Sequence, residues 1–178
     1  MIMADNHHAG ARVLEGGDCG PLEPLGVQWL HVNSVRFCLI GGQAVNAYVE
    51  PLVSLDLDVV VAAADLDRVR TLLPKVFATE SFPHSLNVSI PGSDLRIQIQ
   101  LDARYGAFVD RAGVRDVLGV RLPVARVEDV LQGKIWAVED SSQRPSKRQK
   151  DLADISRLLE KYPHVRTSVP TDILDKLV

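Results

Sequence analysis

Cysteine is scarce in this chain: Cys19 and Cys38 are the two among 178 residues. Two thiols cannot build a disulfide framework, and Cys38 lies in an apolar stretch where a reduced thiol packs as a small hydrophobe. No apolar run reaches the roughly 18 residues needed to span a bilayer, and the first twenty residues lack the apolar segment of a secretory signal. These absences lead to the expectation of a soluble cytoplasmic protein. An excess of positive charge is also missing. The formal net charge is −3, which argues against wholesale coating of nucleic acid but leaves room for a local basic patch. His31, His84 and His164 have no ligand spacing with a cysteine or acid, so zinc is not expected. There is no Gly-Lys-Ser/Thr phosphate loop, no G-x-G-x-x-G fingerprint and no internal repeat.

What is present points to one folded domain. Apolar residues make up 46 % and charged residues 24 %, and the length suffices for an ordinary core. Residues 1–20 are Gly-rich and polar and read as a loose tail, in which His7 and His8 are more often inert than metal-binding. Residues 21–178 read as the domain, with a sheet core over about 34–125 and a helical part over about 126–178. Leu25, Trp29 and Val32 recur at helical spacing within Leu22 to Val32. Arg36 to Ile40 and Asp56 to Ala62 read as strands around a short helix over Gln43 to Val49. Asp65 is placed to cap a helix with Leu66, Val69, Leu72, Leu73 and Val76 on one side, which Pro74 bends or ends. Leu86 to Ile90 and Leu95 to Leu101 read as a hairpin around Pro91-Gly92. Two short extended pieces near Val114 to Leu118 and Val120 to Val124 precede helices. The class is α+β: a small mixed β-sheet with flanking and C-terminal helices.

The chemistry concentrates in RFCLIGGQAVNAYVEPLVSLDLDVVV. Side chains two apart in a strand share a face, so Asp56 and Asp58 present two carboxylates together. Like charges that close repel unless a cation lies between them, and Mg²⁺ is held by one or two carboxylates with water and phosphate oxygens completing its shell. Gly41 and Gly42 let a phosphate approach the backbone, and the helix beginning at Gln43 offers free N–H groups at the same place.

Two glycines, thirteen residues, then Asp-x-Asp in SLDLDVVV resembles the first motif of the polymerase-β nucleotidyltransferase superfamily. The later pieces GKIWA and PSKRQKDLADISRLL look like its small bacterial branch, which includes abortive-infection and type IV toxin-like nucleotidyltransferases. The resemblance covers roughly Val35 to Leu159. It implies a nucleotidyltransferase core, Mg²⁺ in a two-metal site, and transfer of NMP from an NTP to a hydroxyl. The acceptor would be an RNA 3′ end, a protein or a small molecule, and a toxin role would add an antitoxin partner. Asp56 and Asp58 would hold metal, while Gly41, Gly42, Gln43, Lys134, Lys150 and Asp151 would serve the nucleotide. A degenerate nucleotide-binding or regulatory module with the same fold is the alternative.

Two-metal phosphoryl transfer calls for a third acid on a neighbouring strand. In SDLRIQIQLDAR, Arg96, Gln98, Gln100 and Asp102 share one face, with Gln98 or Gln100 at the family's usual mid-strand position. Asp102 is the candidate third ligand, but at about 3.3 Å per residue it lies roughly 13 Å along the strand from Gln98. In the helical half, Lys134 falls on the stripe of Val127, Val130, Leu131, Ile135 and Val138. It either snorkels outward or, as the resemblance implies, faces a triphosphate. Asp151 lies at the edge of the stripe of Leu152, Ile155, Leu158, Leu159 and Tyr162, and wants Lys134 or Lys150 as a partner. It is either half of a structural salt bridge or, on the resemblance, part of a late Lys-Asp element. Arg144, Lys147, Arg148 and Lys150 crowd a helix N-terminus, where cations oppose the macrodipole. They form either a solvated charged loop or an anion site.

Overall fold

A computed structural model describes residues 25–92 and 94–177. The tail assigned to residues 1–20, with Cys19, His7 and His8, lies outside the described residues. The strand β1 (Phe37–Ile40) is apolar and buried at every position, the composition of a strand covered on both faces. It pairs antiparallel with β2 (Asp56–Val61) and parallel with β7 (Val120–Val124). The short helix α2 (Gly41–Asn46) joins β1 to the loop before β2. On its other side β2 runs parallel to β5 (Arg96–Gln100), which pairs with β4 (Ser85–Ser89) and through it with β3 (Ala78–Ser81). β6 (Gly113–Val117) closes the far edge as the hairpin partner of β7. The seven-stranded mixed sheet has the order β3-β4-β5-β2-β1-β7-β6.

One continuous apolar core joins the sheet to the helices. α1 (Leu25–Val32) buries Gly26, Val27, Trp29 and Leu30, and Gly26 approaches Ile97 so closely that an added Cβ would meet its Cδ1 at 2.4 Å. α3 (Leu66–Leu72) adds Val69. α4 (Gly106–Arg111) packs against β1 and β2, whereas α5 (Val127–Glu139), α6 (Pro145–Lys161) and the short α7 (Thr171–Leu174) make up the helical half. Leu131 on α5 and Ile155 and Leu158 on α6 are fully buried, each contributing roughly 1.5–3 kcal/mol of transfer free energy.

The α+β class and the mixed sheet agree with expectation. Several details differ. The helix expected from Gln43 begins at Gly41 and ends at Asn46, because the left-handed backbone of Gly41 turns the chain directly into it. Asp65 makes no side-chain cap; its carboxylate instead accepts the Arg36 N–H at 3.0 Å and Arg68 at 2.8 Å. α3 stops at Leu72, Pro74 sits in a 3-10 turn, and Val76, expected on the apolar side, is exposed. β3 and α4 were not expected. The sequence ATES carries no apolar alternation, since β3 is an exposed edge held by its pairing with β4. The leading helix is described from Leu25; Leu22 to Pro24 lie outside the described residues.

Candidate active site

The register of β1 on β2 sets Ile40 opposite Asp58. The next residue, Gly41, adopts φ +65°, and a Cβ there would stand 1.9 Å from Asp58 Oδ2. No side chain fits, so the carboxylate lies against bare backbone. A Cβ on Gly42 would stand 3.5 Å from Ser54 Oγ and 3.9 Å from Lys150 Nζ. A carboxylate, a hydroxyl and an ammonium thus converge on the two glycines. The loop bearing Ser54 is fixed by two amides of α2. Gln43 donates to the Ser54 carbonyl at 2.8 Å, while Asn46 donates to the Leu52 carbonyl at 2.7 Å and accepts its N–H at 2.9 Å. Gln43 is buried, and its amide oxygen accepts from Asn46 at 3.1 Å. Its side chain is committed to the loop.

Asp56 and Asp58 share the site face of β2 but differ in surroundings. Asp56 is half-exposed and paired with Arg96 at 2.9 Å. Burial pushes the Asp58 pKa above the ordinary carboxylate value. Lys134 and Lys147 pull it down, and Asp56 and Asp151 raise it further. A charged Asp58 therefore wants more positive charge than the protein supplies.

The parallel register of β2 and β5 places Gln98 beside Asp58 and Gln100 beside Val60. An amide thus occupies the strand position next to the second carboxylate. Asp102 lies beyond the end of β5, where its side chain accepts the backbone N–H of Arg104 at 2.9 Å and pairs with the guanidinium at 2.8 Å. The Arg104 hydrogen bond holds its pKa below the usual carboxylate range. Among the described residues no three His, Cys, Asp or Glu side chains assemble into a metal site. Asp56 and Asp58 still fit one Mg²⁺ ion, which needs only one or two carboxylates beside water and phosphate oxygens. A second ion would lack a carboxylate at Gln98.

Lys134 is buried and sits 2.7 Å from both Asp151 Oδ1 and Asp154 Oδ2. Burial pulls its pKa down, but the two carboxylates outweigh this and hold it above the ordinary lysine value. Asp151 also accepts from Gln143 at 2.8 Å, and Asp154 from Arg157 at 2.8 Å. Of the basic cluster, Arg148 donates to the carbonyls of Asp140 and Gln143. Arg144, Lys147 and Lys150 line the cleft and have no carboxylate partner among the described residues.

These groups surround one cleft of about 1040 Å³, reaching from the glycine turn to Asp102, Arg104 and Trp136. The structure brings Gly41, Gly42, Asp56, Asp58, Asp102, Lys134, Lys150 and Asp151 to its walls, but not Gln43. Ser54, His84, Arg104 and Trp136 also line it, without having stood out in the sequence. Ser54, His84 and Arg104 come from loops and a short turn that carry no periodicity, and Trp136 lies on α5 outside its apolar stripe. Arg104 lies 4.9 Å over the Trp136 ring, which stacks on Phe108, a signal only the fold reveals.

No protein-family model matches the chain, and no curated protein matches it. Solved structures do. The chain is similar to ANT(2″)-Ia in complex with adenylyl-2″-tobramycin, with TM-score 0.54, 12 % identity, and coverage of 84 % of this chain and 92 % of that one. The solution structure of the antibiotic-resistance factor ANT(2″)-Ia matches with TM-score 0.52 and 12 % identity over 83 % and 82 % of the two chains. The lincosamide antibiotic adenylyltransferase LnuA, lincomycin-bound, matches with TM-score 0.51 and 14 % identity over 75 % and 94 %. At such identities the likeness speaks for architecture, and the architecture around this cleft is the nucleotidyltransferase fold.

Proposed function

We propose that the chain is a Mg²⁺-dependent nucleotidyltransferase that moves NMP from an NTP to a hydroxyl. The observation that carries this reading is the convergence of Asp58, Ser54 and Lys150 on the Gly41–Gly42 turn, where no side chain could take the space beside Asp58. The turn would receive the triphosphate on its backbone N–H groups, with Lys150 and Lys147 neutralising phosphate charge. Asp56 and Asp58 would hold Mg²⁺, which when bound supplies charge neutralisation at the phosphates. In the reaction the acceptor hydroxyl oxygen bonds to the α-phosphorus and releases its proton to solvent, the bond from that phosphorus to the α,β-bridging oxygen breaks, and pyrophosphate leaves. Lys134 would act mainly by fixing α5 on α6, since two carboxylates already satisfy its charge.

A second reading has its own support. Gln98 beside Asp58, and Asp102 held by Arg104, favour a nucleotide-binding module without turnover. One experiment tests both. A ligand that binds only the folded state stabilises it by mass action, so NTP with Mg²⁺ should raise the melting temperature. Asp56→Asn with Asp58→Asn should abolish the rise, and an undiminished rise would remove the site assignment. Labelled NTP incubated with cell fractions then separates the readings: label transferred to an acceptor marks the enzyme, and binding without transfer marks the module.

A further inference from the structure

Of the piece GKIWA, the buried ion triad uses Lys134 alone. Gly133 and Trp136 both pack against Tyr105, the last residue of the 3-10 turn Ala103–Tyr105 that follows β5. Tyr105 is 8 % exposed and lines the cleft. Phe108 and Trp136 meet its ring edge-on, with centroids 5.3 Å and 5.2 Å away, and stack on each other. A Cβ on Gly133 would stand 3.3 Å from Tyr105 Cε1 and 3.9 Å from its hydroxyl. Glycine inside a helix is a weaker choice than alanine, and at this position it leaves the phenol its slot. Three residues therefore fix the ring.

Nothing in the fold uses the hydroxyl they hold. The Tyr105 backbone N–H donates to the Asp102 carbonyl at 3.2 Å, whereas the hydroxyl has no hydrogen-bond partner among the described residues. It is not sealed away either, so it opens onto the cleft. A phenol held in one place with its oxygen unpaired gives up hydrogen bonds to freely arranged water and gains none in return. Burial pushes its pKa up to about 12, with the carboxylates of Asp102, Asp58 and Asp151 adding to the rise against the pull of Arg104. The group therefore keeps its proton at neutral pH and stands ready to donate it in a hydrogen bond.

We propose that the Tyr105 hydroxyl holds the ribose of the bound NTP, donating to one of its hydroxyl oxygens. This rests on the nucleotidyltransferase reading above and adds a positioning residue to it. Direction along the cleft supports the assignment. β5 runs parallel to β2, so the turn after β5 lies past Asp58 from the glycine turn. A triphosphate that starts at the turn and passes Asp58 brings its sugar to that end. Charge supports it as well. Lys150 stands by Gly42, and Lys147 acts on Asp58. At the Tyr105 end, Arg104 and Arg111 are paired with Asp102 and Asp129. Phosphate is drawn to the first end, and a neutral hydroxyl suits the second.

Titration calorimetry on the full chain tests this. The probes are the tightest-binding of the common NTPs, its 2′,3′-dideoxy counterpart and inorganic tripolyphosphate, each with Mg²⁺. Wild type should prefer the NTP over the dideoxy form about tenfold. Tyr105→Phe keeps the ring packing and removes no internal hydrogen bond, so its melting temperature should match wild type. Its affinity for the NTP should fall about tenfold, its affinity for tripolyphosphate should stay unchanged, and its preference for the NTP over the dideoxy form should vanish. A merely structural role would weaken all three ligands together. The assignment is overturned if Tyr105→Phe binds the NTP as wild type does, if tripolyphosphate weakens equally, or if the preference over the dideoxy form survives. Failure of wild type to bind either NTP or tripolyphosphate would strike the nucleotidyltransferase reading itself, whereas tripolyphosphate binding without discrimination at the ribose strikes the Tyr105 assignment alone.

Discussion

Replacing Lys134 with methionine separates holding the fold from holding a phosphate. Lys134 is 6 % exposed, and its ammonium lies 2.7 Å from each of two carboxylates that are themselves buried. Methionine keeps the packing of the stem but strands Asp151 and Asp154. Breaking a buried ion pair typically costs about 3–5 kcal/mol. Here Asp151 keeps Gln143 and Asp154 keeps Arg157, which puts the expected loss near the lower end, about 3 kcal/mol. For a chain of this size that is a fall of about 6–12 °C in Tm. Because the two carboxylates outweigh burial and raise the lysine's folded pKa, its contribution is fully present below the unfolded pKa of about 10.4. It is lost only as pH rises through the higher folded value. The deficit of Lys134→Met should therefore stay level across neutral pH. Urea unfolding gives the stability and NTP titration the affinity, while adding Asp151→Asn and Asp154→Asn should restore much of the loss, since the three groups act together. Unchanged stability with NTP affinity down tenfold or more would refute the reasoning and return Lys134 to the triphosphate.

Gly41→Ala should both destabilise the chain and abolish NTP-induced stabilisation, because the new methyl meets Asp58 Oδ2 at 1.9 Å in a left-handed backbone; a melting curve with and without Mg²⁺-NTP checks it. Asp58→Asn should raise Tm at neutral pH. Burial raises the wild-type pKa, so stability is fully present below the unfolded value and lost as pH rises through the folded one. The variant's advantage should accordingly disappear in acid, as a pH series of melts would reveal. Gln98→Glu, which puts a carboxylate beside Asp58, should tighten Mn²⁺ binding measured by titration calorimetry, and unchanged affinity would mean that the β5 position does not face the ion.

The parts of this site legible in the sequence are those where chemistry and periodicity coincide. Two glycines after an apolar run and two acids at alternate positions of another already require a turn against a carboxylate pair. Face alternation likewise separates Arg96, Gln98 and Gln100 from Ile97 and Ile99. What alternation cannot supply is register between strands distant in sequence. Only the register shows that Gln98, rather than Gln100, stands beside Asp58. Asp154 illustrates the limit on helices. Read against the stripe of α6 it lies further round than Asp151, yet both are buried because Lys134 of α5 inserts between them. The stripe was drawn from apolar residues alone, and a charge on the facing helix widened it. Ser54 belongs to a loop tied to α2 by Gln43 and Asn46, and Arg104 to a turn held by Asp102 beneath the Trp136 ring, so no periodic pattern marks their meeting the cleft.

The same helix accounts for both the stiffness of the cleft and its charge. Lys147 and Asp151, and Lys150 and Asp154, are one helical turn apart, so α6 turns its acids inward to Lys134 and brings its lysines to the mouth. Cations in a first helical turn oppose the macrodipole by about 0.3–1 kcal/mol each. Arg148 offsets that by capping two carbonyls of the preceding loop. No such bond compensates Lys147 of that first turn; it and Lys150 of the second turn face Asp58 and the glycine turn. Asp58, short of positive charge, and the lysines, short of an anion, are complementary deficits on opposite walls, and a metal-bound phosphate between them would relieve both. Because Asp151 and Asp154 fix α6 through Lys134, the distance between those walls is set by a buried ion triad rather than by a mobile loop. On the proposed reading the cleft is organised for phosphate before any ligand arrives, because the buried Lys134 triad fixes the helix that carries Lys147 and Lys150.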